Sequence, residues 1–150
     1  MTIRATLDSN ILVYAELEPE TEKGVRAQSV ISAAAPNGIL AVQAQLEFLA
    51  VVRRRRMESL ASARAKVEAW SAVFASAPTT TLVAQAALQL VERQKFQVWD
   101  AVIWTASRMA AAMVFLSEDL QNGLVLDGMR VVNPFTMRIS RRCWAADRAS

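Results

Sequence analysis

The chain contains no histidine and a single cysteine, Cys143. Histidine-based catalytic triads, the metalloprotease helix motif and every histidine-containing zinc site are therefore excluded. One thiol can form neither an internal disulfide nor a four-cysteine zinc site, and a reducing compartment fits such a chain. Also missing is any run near the roughly 18 apolar residues that a membrane-spanning helix needs. The start, Met1-Thr2-Ile3-Arg4, has no extended apolar stretch behind it before Asp8 interrupts, which does not match a signal peptide. The expectation is a soluble cytoplasmic protein with no membrane partner. Neither sign of charge dominates: 17 Lys+Arg stand against 14 Asp+Glu, a net charge of +3. That mild excess permits an RNA or DNA partner without demanding one. No repeat, low-complexity linker or domain boundary is visible, so the 150 residues read as one domain able to bury a sizeable core.

What the chain does have is a hydrophobic content of 53% arranged in alternating strand-like and helix-like segments. Residues 3–7 read as a first strand and 10–17 as a short helix. A second helix is expected over 20–35, a turn at Pro36-Asn37-Gly38, a short buried strand over 39–42 and a helix over 43–56. Residues 62–77 show the clearest helical spacing, with Val67, Trp70, Val73, Phe74 and Ala77 apolar and Pro78 as the stop. The β-branched stretch 79–83 is expected as an edge strand, 84–94 as a helix, and Asp100 as the N-cap of a helix reaching about Ala112. Residues 113–116 form a short apolar strand. Asp127-Gly128 between two apolar runs signals a hairpin. Such alternation predicts an α/β sandwich with a mostly parallel sheet.

Four carboxylates stand at the ends of these segments: Asp8, Glu47, Asp100 and Asp119. Open parallel sheets form their sites outside the carboxyl ends of the strands, so the four acids are expected to meet in one crevice. Carboxylates brought together repel unless a cation is present, and an all-oxygen set suits Mg²⁺ or Mn²⁺. The pattern points to a metal-dependent enzyme acting on phosphates. Taken singly each acid has a plainer explanation, Asp8 as a turn residue and Asp100 as a cap. Glu47 is harder to dismiss, because Leu46, Phe48 and Leu49 around it are apolar. Glu16, Glu18, Glu20 and Glu22 read as solvated surface. Of the pair Glu118 and Asp119, strand alternation puts only one on the site face, and Asp119 is favoured.

Arg53-Arg54-Arg55-Arg56 fits either phosphate contact or a helix end favoured by the macrodipole. Arg54 lies seven residues, two turns, beyond Glu47 and on nearly the same face. Arg53 and Arg54 are taken as RNA contacts. Residues 136–150 read as a basic tail in which Arg138, Arg141 and Arg142 are equally open. Trp70, Trp99 and Trp104 are expected in the core or a dimer interface; Trp144 in the tail is left undecided.

The segment Leu7-Asp8-Ser9-Asn10-Ile11-Leu12-Val13-Tyr14, the middle match Gln43-Ala44-Gln45-Leu46-Glu47-Phe48 and the block from Trp99-Asp100 through Ser117-Glu118-Asp119 to Val131-Val132-Asn133-Pro134-Phe135 resemble PIN-domain ribonucleases, specifically VapC-type toxins of bacterial toxin–antitoxin pairs. The resemblance spans residues 3–135, and its C-terminal block is the specific part. Ser9 stands where Thr is commoner, and residues 57–98 match only in helical character. The resemblance implies a three-layer α/β/α PIN-like sandwich with a mostly parallel central sheet. It also implies a homodimer that cuts RNA with Mg²⁺ or Mn²⁺ and is held by a cognate antitoxin. Asp8, Glu47, Asp100 and Asp119 would be the catalytic, metal-holding acids, and Asn10 and Ser117 would orient them by hydrogen bonding. A metal-activated water would attack phosphorus, with a carboxylate accepting its proton in the absence of histidine. Two rivals stand beside this: a non-catalytic RNA-binding or scaffold domain, and an aspartyl-nucleophile phosphatase. The phosphatase needs a second Asp two residues after the first, where this chain has Asn10.

Overall fold

The apolar tripeptide Ala5–Leu7 is β1, buried on both faces at the centre of the sheet. In the computed structural model, which describes residues 3–136, the chain leaves β1 at Asp8 and turns at once into helix α1, Ser9–Leu17. Thr21 caps α2, Glu22–Ala34, by accepting from the Gly24 amide at 3.0 Å. A 3₁₀ turn over Ala35–Asn37, containing the expected Pro36, delivers the chain to β2, Ile39–Ala41. Helix α3, Val42–Arg55, ends in Arg53, Arg54 and Arg55, which suit the negative end of its dipole. Helix α4 is Leu60–Val73, followed by β3, Ala75–Ala77, then α5, Thr81–Gln94, and α6, Val98–Met109. Strand β4 is Val114–Leu116, and β5, Val125–Leu126, returns as β6, Met129–Val132. Asp127 and Gly128 join these last two with φ of 50° and 81°, both positive as a type I′ hairpin turn requires.

The sheet order is β3-β2-β1-β4-β6-β5, parallel throughout except for β5. The chain winds outward from β1 through β2 to β3, then crosses back to place β4 on the other side of β1. The reversal falls between β1 and β4, and in open parallel sheets sites form outside the strands' carboxyl ends at such a point. One face of the sheet packs Leu7, Leu40, Val114 and Leu116 against Ile11 and Leu12 of α1, Ala27 and Val30 of α2 and Phe48 of α3. The opposite face packs Ile39, Phe115 and Val131 against α5 and α6, with Trp104 wholly buried between Phe96 and Phe115. These are three layers, α/β/α, as the resemblance implies, around the mostly parallel sheet that the alternation predicts.

Two segments depart from expectation. The helix expected over 62–77 stops at Val73, and its last residues form the edge strand β3, whose Ala75 amide donates to Gly38 O at 3.0 Å. Of its apolar positions, Val67 and Trp70 pack on the core and Phe74 and Ala77 are buried, whereas Val73 is 57% exposed. The β-branched stretch 79–83 is no strand. Thr80 spends its hydroxyl as the cap of α5, accepting from the Val83 amide at 3.2 Å. Residues 137–150, and with them Arg138, Arg141, Arg142, Cys143 and Trp144, lie outside the described residues.

Candidate active site

The backbone of Asp8 continues the sheet, its amide donating to Leu116 O at 2.9 Å, so the ends of β1 and β4 are stitched together. Its side chain is 1% exposed and caps α1 through Oδ1, which accepts from the Ser9 amide at 2.8 Å. The other oxygen, Oδ2, accepts from Ser117 Oγ at 2.7 Å. Ser117 is itself buried, one residue beyond β4. Its Oγ accepts from Asn10 Nδ2 at 3.3 Å and from the Asp119 amide at 3.1 Å. Asn10 Nδ2 donates again to Asp119 Oδ2 at 3.0 Å. Asp8, Ser117, Asn10 and Asp119 thus form one continuous hydrogen-bonded chain across the switch point of the sheet.

Glu47 arrives from α3 and joins through Ser9, whose Oγ donates to Glu47 Oε2 at 3.1 Å. Its surroundings differ from expectation, since Leu46 is 54% exposed and the inward face of α3 is Ala44, Phe48 and Val52. Asp100 also differs: α6 begins at Val98 with Gln97 as its cap, so Asp100 is the third residue of the helix, within its first turn. The capping explanation for Asp100 is removed. Its carboxylate is half-buried, and among the described residues it has no hydrogen-bond or ion-pair partner.

The acids feel one another. Burial, outweighing the Ser117 hydrogen bond and aided by the charges of Asp100 and Asp119, pushes the Asp8 carboxyl up to about 7. Burial also raises Glu47, opposed by the Ser9 hydrogen bond and reinforced by Asp100 and Asp119. Asp100 is raised by burial and then by Asp119. No Lys or Arg among the described residues pairs with any of the four. No three His, Cys, Asp or Glu side chains among the described residues converge as a ready-made ion cage. A hydrated Mg²⁺ does not require one, since it is held by one or two carboxylates and keeps several waters. The donor set fits such an ion: every candidate ligand is oxygen, the site is rich in uncompensated negative charge, and the buried Asn10 Oδ1 is an acceptor without a partner.

Glu118 is turned away from the cluster toward Tyr14 and Lys23, while Asp119 stays with it through Asn10. Ser9, Tyr14 and Lys23 were not singled out for contacts by sequence reasoning. The four-residue spacing of Asn10 and Tyr14, which puts both on one face of α1, is the signal that could have found Tyr14. Arg53 and Arg54 are exposed in the last turn of α3. Glu16 is not solvated surface: its side chain is nearly buried and pairs with Lys66 of α4. Trp70 packs on Phe48, but Trp99 is 57% exposed and belongs to no core.

No protein-family model matches the chain, and no curated protein matches it in sequence. Solved structures do. The Mycobacterium tuberculosis toxin VapC20, described as cleaving the sarcin–ricin loop, aligns with a TM-score of 0.64 at 14% identity, over 74% of this chain and 86% of its own. A toxin–antitoxin complex from Klebsiella pneumoniae gives 0.65 at 18% identity, over 87% and 97%. DNA-bound VapBC from Salmonella typhimurium gives 0.62 at 13%, over 87% and 97%. At such identities the likeness shows the fold, which is the PIN-domain fold of VapC-type toxins.

Proposed function

We propose that this chain is a single PIN domain acting as a metal-dependent endoribonuclease, the toxin of a toxin–antitoxin pair, working in the cytoplasm. The observation that carries the reading is the hydrogen-bonded chain Asp8–Ser117–Asn10–Asp119 at the sheet's switch point, with Glu47 and Asp100 coupled to it by charge. The neighbours in fold support it, one being an RNA-loop-cleaving toxin and others toxin–antitoxin complexes. Asp8, Glu47, Asp100 and Asp119 would hold Mg²⁺ or Mn²⁺, which when bound lowers the pKa of water and offsets charge on a phosphate.

The chain's own groups then have distinct tasks. Ser117 fixes the Asp8 carboxylate, Asn10 fixes Asp119, and Ser9 fixes Glu47, each by donating to a carboxylate oxygen. With no histidine in the chain, a carboxylate of this set accepts the proton of the attacking water. Arg53 and Arg54, exposed two turns beyond Glu47, are the proposed contacts to RNA phosphates. A crevice with uncompensated acids also suits a basic side chain of an antitoxin. Exposed Leu82 and Leu88 on α5 and Val98 and Trp99 on α6, two helices packed together, support a homodimer. Against the phosphatase alternative, Asn10 occupies the place of its second acid and serves as a donor to Ser117 and Asp119.

The test is RNA cleavage with Mn²⁺ or Mg²⁺. Asp8→Asn, Glu47→Gln, Asp100→Asn and Asp119→Asn should each abolish it while the circular dichroism spectrum stays native. Full cleavage by two or more variants, or by wild type in EDTA, would overturn the assignment.

A further inference from the structure

We infer that Glu118, Tyr14 and Lys23 form a clamp that positions Asp119, an inference that rests on the nuclease reading above. Glu118 lies between Ser117 and Asp119 yet points out of the acid cluster, and each of its oxygens has a donor. Oε1 accepts from the Tyr14 hydroxyl, and Oε2 accepts from Lys23 Nζ at 2.8 Å. Lys23 Nζ also donates to the Tyr14 oxygen at 3.4 Å and lies 4.8 Å from the centre of the Tyr14 ring and 5.3 Å from that of Phe135. Phe135 in turn meets Tyr14 edge to face.

Asn10 and Tyr14 are four residues apart on α1, so one helix face grips two consecutive loop residues, Asn10 holding Asp119 and Tyr14 holding Glu118. The loop needs such a hold. Ser117 still donates its amide to Val132 O of β6 at 3.1 Å, but Glu118 and Asp119 lie beyond the sheet ladder, and the neighbouring acids repel Asp119. Lys23 has a second effect: it neutralises Glu118, which would otherwise be a fifth negative charge beside the cluster. The Lys23 and Glu118 side chains are 48% and 20% exposed, and ion pairs at that exposure stabilise folds little. What the arrangement supplies is placement of the loop, with only a minor gain in stability.

The experiment compares wild type with Glu118→Ala, Tyr14→Phe, Lys23→Met and Lys23→Arg. The readouts are amide hydrogen exchange at Ser117 and Asp119 in EDTA, melting temperature, Mn²⁺ affinity by calorimetry, and kcat and KM for RNA cleavage. Glu118→Ala and Lys23→Met should speed exchange at Asp119, and lower Mn²⁺ affinity and kcat by about 10–100-fold, the usual cost of losing a group that orients a ligand. KM should stay unchanged, Tyr14→Phe should show the same pattern more weakly, and Lys23→Arg should restore wild-type behaviour. Unchanged exchange at Asp119 overturns the clamp. Faster exchange or a lower melting temperature with undiminished Mn²⁺ affinity overturns the positioning role. Wild type that neither binds Mn²⁺ nor cuts RNA removes the nuclease reading, and the exchange data still decide whether the clamp holds the loop.

Discussion

Asp8 is asked to do two things that oppose each other electrically. Its burial and the nearby acids favour the protonated form, whereas the α1 amide and the Ser117 hydroxyl favour the carboxylate, and burial prevails. The consequence is a pH dependence of stability. With the folded carboxyl near 7 and an ordinary value of 3.8 when unfolded, the folded state holds the extra proton between those limits. In EDTA, stability should therefore fall as pH rises from about 4 to 7, by at most about 4 kcal/mol from this group. Asp8→Asn keeps a side chain that can cap α1 and cannot ionise, so most of that slope should vanish. At pH 7 the EDTA-treated variant should be at least as stable as wild type. Urea denaturation of both proteins at several pH values reads the difference, and a variant markedly weaker at pH 7 would make Asp8 chiefly a structural cap.

Helix entry shows how local signals are decided by packing. Thr21 and Thr80 cap their helices as their residue type prefers, and the type I′ turn at Asp127-Gly128 forms where the dipeptide announces it. Between α1 and α2 the chain turns so tightly that a Cβ on Gly24 would lie 1.6 Å from the backbone oxygen of Glu18. Gly24→Ala must therefore move one helix relative to the other. It should cost at least the roughly 1–3 kcal/mol typical of overpacking, despite alanine's better helix propensity, and the urea midpoint measures this. The segment 74–83 is where sequence reading and structure part. Ala75-Ser76-Ala77 has no strand preference of its own and becomes β3 because β2 offers it a parallel partner, Ala41 facing Ala77. The β-branched Thr79-Thr80-Thr81 run, stronger in strand propensity, is drawn off to cap and open α5. Propensity is a weak term, and a partner strand or an orphan amide outweighs it.

Across the whole molecule the acids come from four separate segments, after β1, within α3, early in α6 and after β4, so their repulsion is a property of the assembled fold. Mn²⁺ should relieve it. At a hundredfold excess over its dissociation constant, mass action adds about 2.7 kcal/mol, on the order of 5–10 °C in melting temperature for this size. Asp119→Asn should gain much less. Melting curves of both proteins with and without Mn²⁺ decide it: equal shifts would mean that Asp119 is no ligand.

The alternation of strands and helices, the parallel sheet it implies and the identity of the four acids are legible in the amino-acid sequence alone. Apolar periodicity and turn chemistry are local, and they act before any long-range contact forms. The sequence also excludes every histidine-dependent chemistry. In the folded chain, long-range packing puts Asp100 inside α6 instead of at its cap, turns Leu46 outward, brings Glu16 to Lys66, and makes Trp104 core and Trp99 surface. Only there do Ser9 and Glu47, 38 residues apart in the chain, share a hydrogen bond, and Tyr14 and Glu118, separated by 104, another. Such pairings depend on which strand lies beside which. The crossing from β3 back to β4 sets that order, and no single segment records it.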